Sequence, residues 1–276
     1  MSLSIERVLA RDKWIVAGCV ALIAALAWFW LWRESLRMSA AGAMAGMDMS
    51  GMDMSGMDMA MATPAGPAAY IGAAFLMWFI MMIAMMLPSA SPMILLYAGL
   101  ARGQRGQGAG IAPTAVFAGT YLAIWAGFSA AAALAQWLLA RSGAVSDMTL
   151  ALGDRRVAGV LLIGAGVYQA TALKRACLDN CRSPLSFVMR RWRPGWAGAA
   201  RLGIIHGVYC LGCCAALMAL LFVFGVMNLV WVAALALFVA FEKVVPLGPR
   251  MVVGSGYALI VAGLIMVCYG AASGAG

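Results

Sequence analysis

Charge is what this sequence has least of. Of 276 residues, 11% are Asp, Glu, Lys or Arg, and the ten acidic residues are outnumbered by nineteen basic ones. Histidine occurs once. Residues 14–32, 59–101, 106–140, 157–173, 202–241 and 251–276 carry no charged side chain. A soluble fold with a 65% hydrophobic composition and such runs could not cover its surface with polar groups. Also missing are a P-loop and a D-K-T-G phosphorylation signature, which argues against ATP-driven export.

What is present reads as an all-α integral membrane protein. A crossing needs about 20 apolar residues, so the runs predict about seven transmembrane helices, near 14–32, 70–97, 112–140, 156–173, 203–226, 229–247 and 252–271. The first has an uncharged run too long for a typical signal peptide. Arg33 and Arg37 follow it before any small-residue cleavage site, so it reads as a retained anchor. Lys and Arg are concentrated at the N-terminus (Arg7, Arg11, Lys13), after the second span (Arg102, Arg105), between the fourth and fifth (Lys174 to Arg201) and after the sixth (Lys243, Arg250). With alternating helices these all fall on one side. The positive-inside rule then puts the N-terminus in the cytoplasm and the C-terminus in the periplasm. The expected location is a bacterial inner membrane. The net charge of +9 follows from this topology and points to no nucleic acid. The organisation expected is a tail and anchor helix over 1–33, a Met-rich periplasmic loop over 34–69, and a six-helix membrane domain over 70–276.

The loop holds three copies of one pentapeptide: GMDMS at 46–50, GMDMS at 51–55 and GMDMA at 56–60. Its repeats supply Met47, Met49, Met52, Met54, Met57 and Met59, with no Leu, Ile, Val or aromatic residue to build a core. Thioethers at this density are soft ligands, suited above all to Cu(I). The second span continues the theme. Met77, Met81 and Met85 recur every fourth residue and share a helical face, so they read either as a thioether ladder or as adaptable packing. Pro88 and Pro92 in the same span are expected to kink it.

Cysteine and histidine form the second constellation. Cys177 and Cys181 follow the fourth span among basic residues, on one face if the helix continues. In the fifth span His206, Cys210 and Cys213 fall within about 60° of arc at roughly 100° per residue, and Cys214 lies about 40° beyond Cys210. Thiolates and imidazole would take Cu(I), and such a Cys/His site would also accept Zn(II). The cytoplasmic placement of these cysteines suits reduced ligands rather than a disulfide framework. Glu242-Lys243 reads as the cytoplasmic boundary of the sixth span, the alternative being a functional ion pair. Cys19 and Cys268 read as apolar filling.

The segments WFIMMIAMMLPS (78–89), YQATALKRACLDNCRSPL (168–185), HGVYCLGCCAALM (206–218) and EK (242–243) resemble a bacterial family of predicted metal-binding integral membrane proteins, long a domain of unknown function. The resemblance covers about 70–270. It implies a polytopic inner-membrane protein with a metal site at Cys177, Cys181, His206, Cys210, Cys213 and Cys214. The family pattern has an aromatic residue after the Cys pair, where this chain has Ala215.

The function expected is copper handling without catalysis. Cu(I) would bind the periplasmic loop and pass through the membrane to the Cys/His site, as in a transporter or importer. The alternative is a membrane metallochaperone or assembly factor serving a membrane cuproenzyme. A thiol oxidoreductase fits less well, because the C-x2-C pair Cys210/Cys213 has no quinone or haem ligand set beside it. The partners implied are a metal ion, the lipid bilayer, and a copper chaperone or membrane cuproenzyme.

Overall fold

The computed structural model describes residues 2–45, 66–103, 111–143, 152–226, 228–245 and 249–272. The pentapeptide repeats, and with them Met47, Met49, Met52, Met54, Met57 and Met59, lie outside the described residues. The chain runs through α1 (Ser2–Ala45), α2 (Pro67–Gly103), α3 (Ile111–Arg141), α4 (Arg155–Ala170), α5 (Ala172–Arg182), α6 (Pro184–Arg191), α7 (Gly195–Ala219), α8 (Leu221–Phe224), α9 (Leu229–Val244) and α10 (Pro249–Ala272). No strand occurs among the described residues. α1 continues past residue 33, the expected end of the anchor, to Ala45.

Five helical stretches are long and apolar enough to cross a bilayer: Trp14–Ser39, Pro67–Ala101, Ala112–Arg141, Gly195–Phe224 and Val252–Gly270. A sixth appears if α4 and α5, bent by 64°, are taken as one broken span. The sixth expected span, α9, has 16 helical residues, roughly 24 Å at 1.5 Å per residue, against a hydrocarbon core of about 30 Å. Apolar side chains point outward along these helices, among them Leu22, Leu26 and Phe29 on α1 and Val261, Leu264 and Ile265 on α10. Outward apolar surface of this extent suits lipid rather than water.

The break between α4 and α5 changes where the cysteines go. Thr171 leaves the helical region at φ −71°, ψ 152° and serves both ends. Its hydroxyl donates to the Tyr168 carbonyl at 2.7 Å and accepts from the Lys174 amide at 3.2 Å. One side chain thus satisfies the last turn of α4 and the first of α5. The fourth span therefore ends at Ala170 rather than 173, and α5 crosses over α7 instead of continuing outward.

α2 stays helical through Pro88 and Pro92. Proline at 88 cannot donate to the carbonyl four residues back. That carbonyl, Ala84 O, accepts instead from Trp28 Nε1 of α1 at 3.0 Å. α4 and α10 pack at glycines. A Cβ on Gly166 would lie 2.5 Å from Gly256 O, and one on Gly159 would lie 2.7 Å from Gly263 O. Small residues let membrane helices approach this closely. The core lies where α2, α3 and α7 meet, around Trp78, Tyr121, Trp125 and the buried methionines of α2.

Candidate metal centre

Four of the seven cysteines come together in the interior. Cys210, Cys213 and Cys214 lie beyond the midpoint of α7, each at most 1% exposed. Cys181, near the end of α5, reaches them from the side. Cys213 Sγ is 3.1 Å from Cys214 Sγ and 4.0 Å from Cys181 Sγ, and it donates to the Cys210 carbonyl at 3.2 Å. All are free thiols. The helical stripe on α7 supplies three of the sulfurs, and the α4–α5 break supplies the fourth.

Two polar side chains hold Cys210 from other helices. Lys243 Nζ of α9 donates to Cys210 Sγ at 3.2 Å and to Ser89 Oγ of α2 at 2.9 Å. The Tyr121 hydroxyl of α3 lies 3.1 Å from the same sulfur and 3.2 Å from the Met86 carbonyl it donates to. Four helices thus converge on one sulfur. Lys243 places its amino group directly against this sulfur.

A second anchor fixes α5. Lys174 Nζ donates to Glu242 Oε2 at 2.8 Å, with both side chains buried. Gln169 Nε2 donates to the other carboxylate oxygen at 3.1 Å, and Arg182 Nε donates to the Glu242 carbonyl at 2.7 Å. Glu242 and Lys243 are thus both buried against neighbouring helices. Glu242 holds α5 to α9, and Lys243 faces the thiols. Residues on a helix one position apart point about 100° apart, which lets neighbours serve two networks.

His206 stands one turn before Cys210, 3% exposed, stacked on Tyr121 with ring centroids 5.2 Å apart and edge-on to Phe187 at 5.7 Å. Among the described residues neither ring nitrogen has a hydrogen-bond partner. Cys177 points elsewhere. Its sulfur occupies the space over Gly212, where a Cβ would lie 2.7 Å from it. Among the described residues no hydrogen bond links Cys177 to the other four sulfurs. Met77, Met81 and Met85 are all buried in α2, at 6%, 0% and 2% exposure. Cys19 and Cys268 are exposed on the outer faces of α1 and α10.

The donor chemistry can be tested against a metal–thiolate bond of roughly 2.3 Å. Two sulfurs 4.0 Å apart, as Cys181 and Cys213 are, would subtend about 120° at an ion between them, a comfortable angle for two or three soft ligands. Two sulfurs 3.1 Å apart, as Cys213 and Cys214 are, would subtend only about 85° and must separate to bind. No group of three or more His, Cys, Asp or Glu among the described residues forms a ready-made metal cage. The sulfurs are packed as thiols whose spacing one small movement would change.

Sequence reasoning did not find Lys243, Tyr121, Ser89 or the Lys174–Glu242 pair as parts of this centre. A signal was present for two of them. Glu-Lys inside the run FVAFEKVVPL has apolar residues on both sides, and ionisable residues there usually face a bundle interior.

These features define a class: an all-helical chain with several helices able to span a membrane and a buried thiol cluster. The family model PpoB2, described as a copper chaperone, matches residues 75–266, and the chain belongs to that family. The match falls within the 70–270 region that carries the resemblance read from the sequence. No curated protein and no solved structure matches the chain.

Proposed function

We propose that this protein is a bacterial inner-membrane copper chaperone that holds Cu(I) between Cys181, Cys210, Cys213 and Cys214 and hands it to a copper-requiring partner. One observation carries the reading: four thiols from two helices converge in the interior beside a buried lysine. Soft thiolates suit Cu(I) and would also accept Zn(II); the copper-chaperone family favours copper. A thiol that becomes a ligand releases a proton, and Lys243 supplies positive charge next to Cys210 before the ion arrives. The role is binding rather than catalysis. The Met-rich segment within 34–69 gathers the ion on the periplasmic face. The chain crosses the membrane seven times, with its N-terminus in the cytoplasm and its C-terminus outside, and the short α9 makes the sixth crossing.

Transport through the membrane is the second reading. Its support is the buried face of Met77, Met81 and Met85 on α2, which runs toward the thiol cluster.

The test is copper content of protein purified under reducing conditions and loaded with Cu(I). Wild type is compared with a deletion of 44–61 and with Cys210→Ser/Cys213→Ser. The reading requires tight copper in wild type, lost in the double variant and kept in the deletion. Wild type without copper after loading refutes it, and zinc held at the cysteines would make the site structural. Uptake of Cu(I) into sealed vesicles separates transport from chaperoning.

A further inference from the structure

Beside the sulfur cluster lies a cavity of about 180 Å³, lined by Ser89, Met93, Cys181, His206 and Lys243 together with the turn from α5 into α6. At roughly 30 Å³ per water it has room for about six, more than enough for a metal ion. His206 lines it with both nitrogens unpartnered at 3% exposure. A buried imidazole normally finds a partner, because an unmet polar group costs about 1–3 kcal/mol. The aromatic box of Phe117, Tyr121 and Phe187 holds the ring in place but offers its nitrogens nothing. Met93 is 2% exposed on the facing helix. One of the four clustered thiols, Cys181, lines the same cavity.

We infer that Met93, His206 and Cys181 form a second, weaker Cu(I) station in this cavity, and that Cys181 is shared with the thiol cluster. This rests on the copper reading above and gives it a route. A Cu(I) ion held by thioether, imidazole and one thiolate has a softer, more sulfur-rich site one step inward. It changes hands by ligand exchange. Cys181 stays bonded while Cys213 and then Cys210 or Cys214 replace His206 and Met93. The ion keeps its +1 charge throughout, and each cysteine that joins releases its proton to water entering the cavity. The reverse order serves release. The neutral donors explain why the cavity does not trap the ion: neither imidazole nor thioether adds negative charge, in contrast to the three thiols of α7.

The test uses the full chain in detergent with Cu(I) as the probe, read by copper X-ray absorption and by the rate of copper capture from a competing chelator. Wild type with one equivalent is expected to show sulfur ligation only. Cys210→Ser/Cys213→Ser/Cys214→Ser disables the inner cluster. It should keep Cu(I) more weakly, with a nitrogen scatterer that disappears when His206→Asn is added. His206→Asn and Met93→Leu alone should keep the all-sulfur site while capturing copper at least about tenfold more slowly, in line with effects of lost supporting ligands. The station is refuted if the triple-Ser variant holds its copper without nitrogen. It is equally refuted if the two single variants, folded and with wild-type copper content, capture at the wild-type rate. Loss of the tight copper in His206→Asn would also refute it, by making His206 a ligand of the inner site. Wild type that binds no Cu(I) at all fails the copper reading itself, a result distinct from these.

Discussion

Replacing Glu242 by Ala would leave the Lys174 ammonium alone in the interior, at 0% side-chain exposure. Removing one partner of a buried ion pair costs about 3–5 kcal/mol, because the remaining charge is neither hydrated nor neutralised. At roughly 1.4 kcal/mol per factor of ten, the ratio of folded to unfolded protein falls by about a hundred-fold to several thousand-fold. Gln169 Nε2 loses one acceptor but keeps Ser255 Oγ at 3.2 Å, so the lysine dominates the loss. The same physics gives a sharper statement about the double variant Lys174→Met/Glu242→Leu. It removes both charges and their desolvation together, and its stability should lie within about 1 kcal/mol of wild type or above it. The assay is thermal unfolding of the purified chain in one detergent, followed by far-UV circular dichroism. A Glu242→Ala variant as stable as wild type would refute the reasoning, and so would a double variant less stable than Glu242→Ala. Because Glu242 ties α5 to α9, the single variant should also load less copper than the double variant, in which α5 can repack.

Gly212→Ala brings a Cβ to within 2.7 Å of Cys177 Sγ and should weaken Cu(I) binding by pushing α5, with Cys181, away from α7. Adding Cys177→Ala should restore binding, measured by chelator competition, whereas no recovery would make Cys177 itself a ligand. Gln136→Leu removes the acceptor 2.7 Å from Trp78 Nε1 and should cost about 1–3 kcal/mol for the stranded indole N–H, seen as a lower unfolding temperature. Gly166→Ala should destabilise the α4–α10 pair by about 1–3 kcal/mol, because its Cβ meets the Gly256 carbonyl rather than a movable side chain. Gly164→Ala, whose Cβ would meet nothing within 4 Å, should be neutral or slightly stabilising in the same melt.

The helical class was written in the composition, because long uncharged apolar runs leave few other folds. The stripe of His206, Cys210, Cys213 and Cys214 was equally legible, because helical spacing is a local property and α7 is a regular helix through those residues. The span boundaries were read less well where one residue redirected the chain. Thr171 ends α4 and starts α5 through its own hydroxyl, and no periodicity announces that. The bend lays α5 against α7, where Cys177 and Cys181, one turn apart on α5, meet different parts of that helix. Cys181 joins the cluster and Cys177 packs on Gly212.

What the sequence by itself determined was therefore the chemistry on offer: soft donors, scarce charge, and helices whose apolar faces must be covered by lipid or by one another. Periodicity and composition act over a few turns, so they fix such things without reference to the rest of the chain. Tertiary structure decided which donors meet. It buried Glu242 and Lys243 against neighbouring helices, drew Tyr121 and Ser89 toward Cys210, and left both nitrogens of His206 facing a cavity. Those outcomes depend on residues 33 to 154 positions apart in the chain, and only the packing of α2, α3, α5, α7 and α9 together brings them within 4 Å.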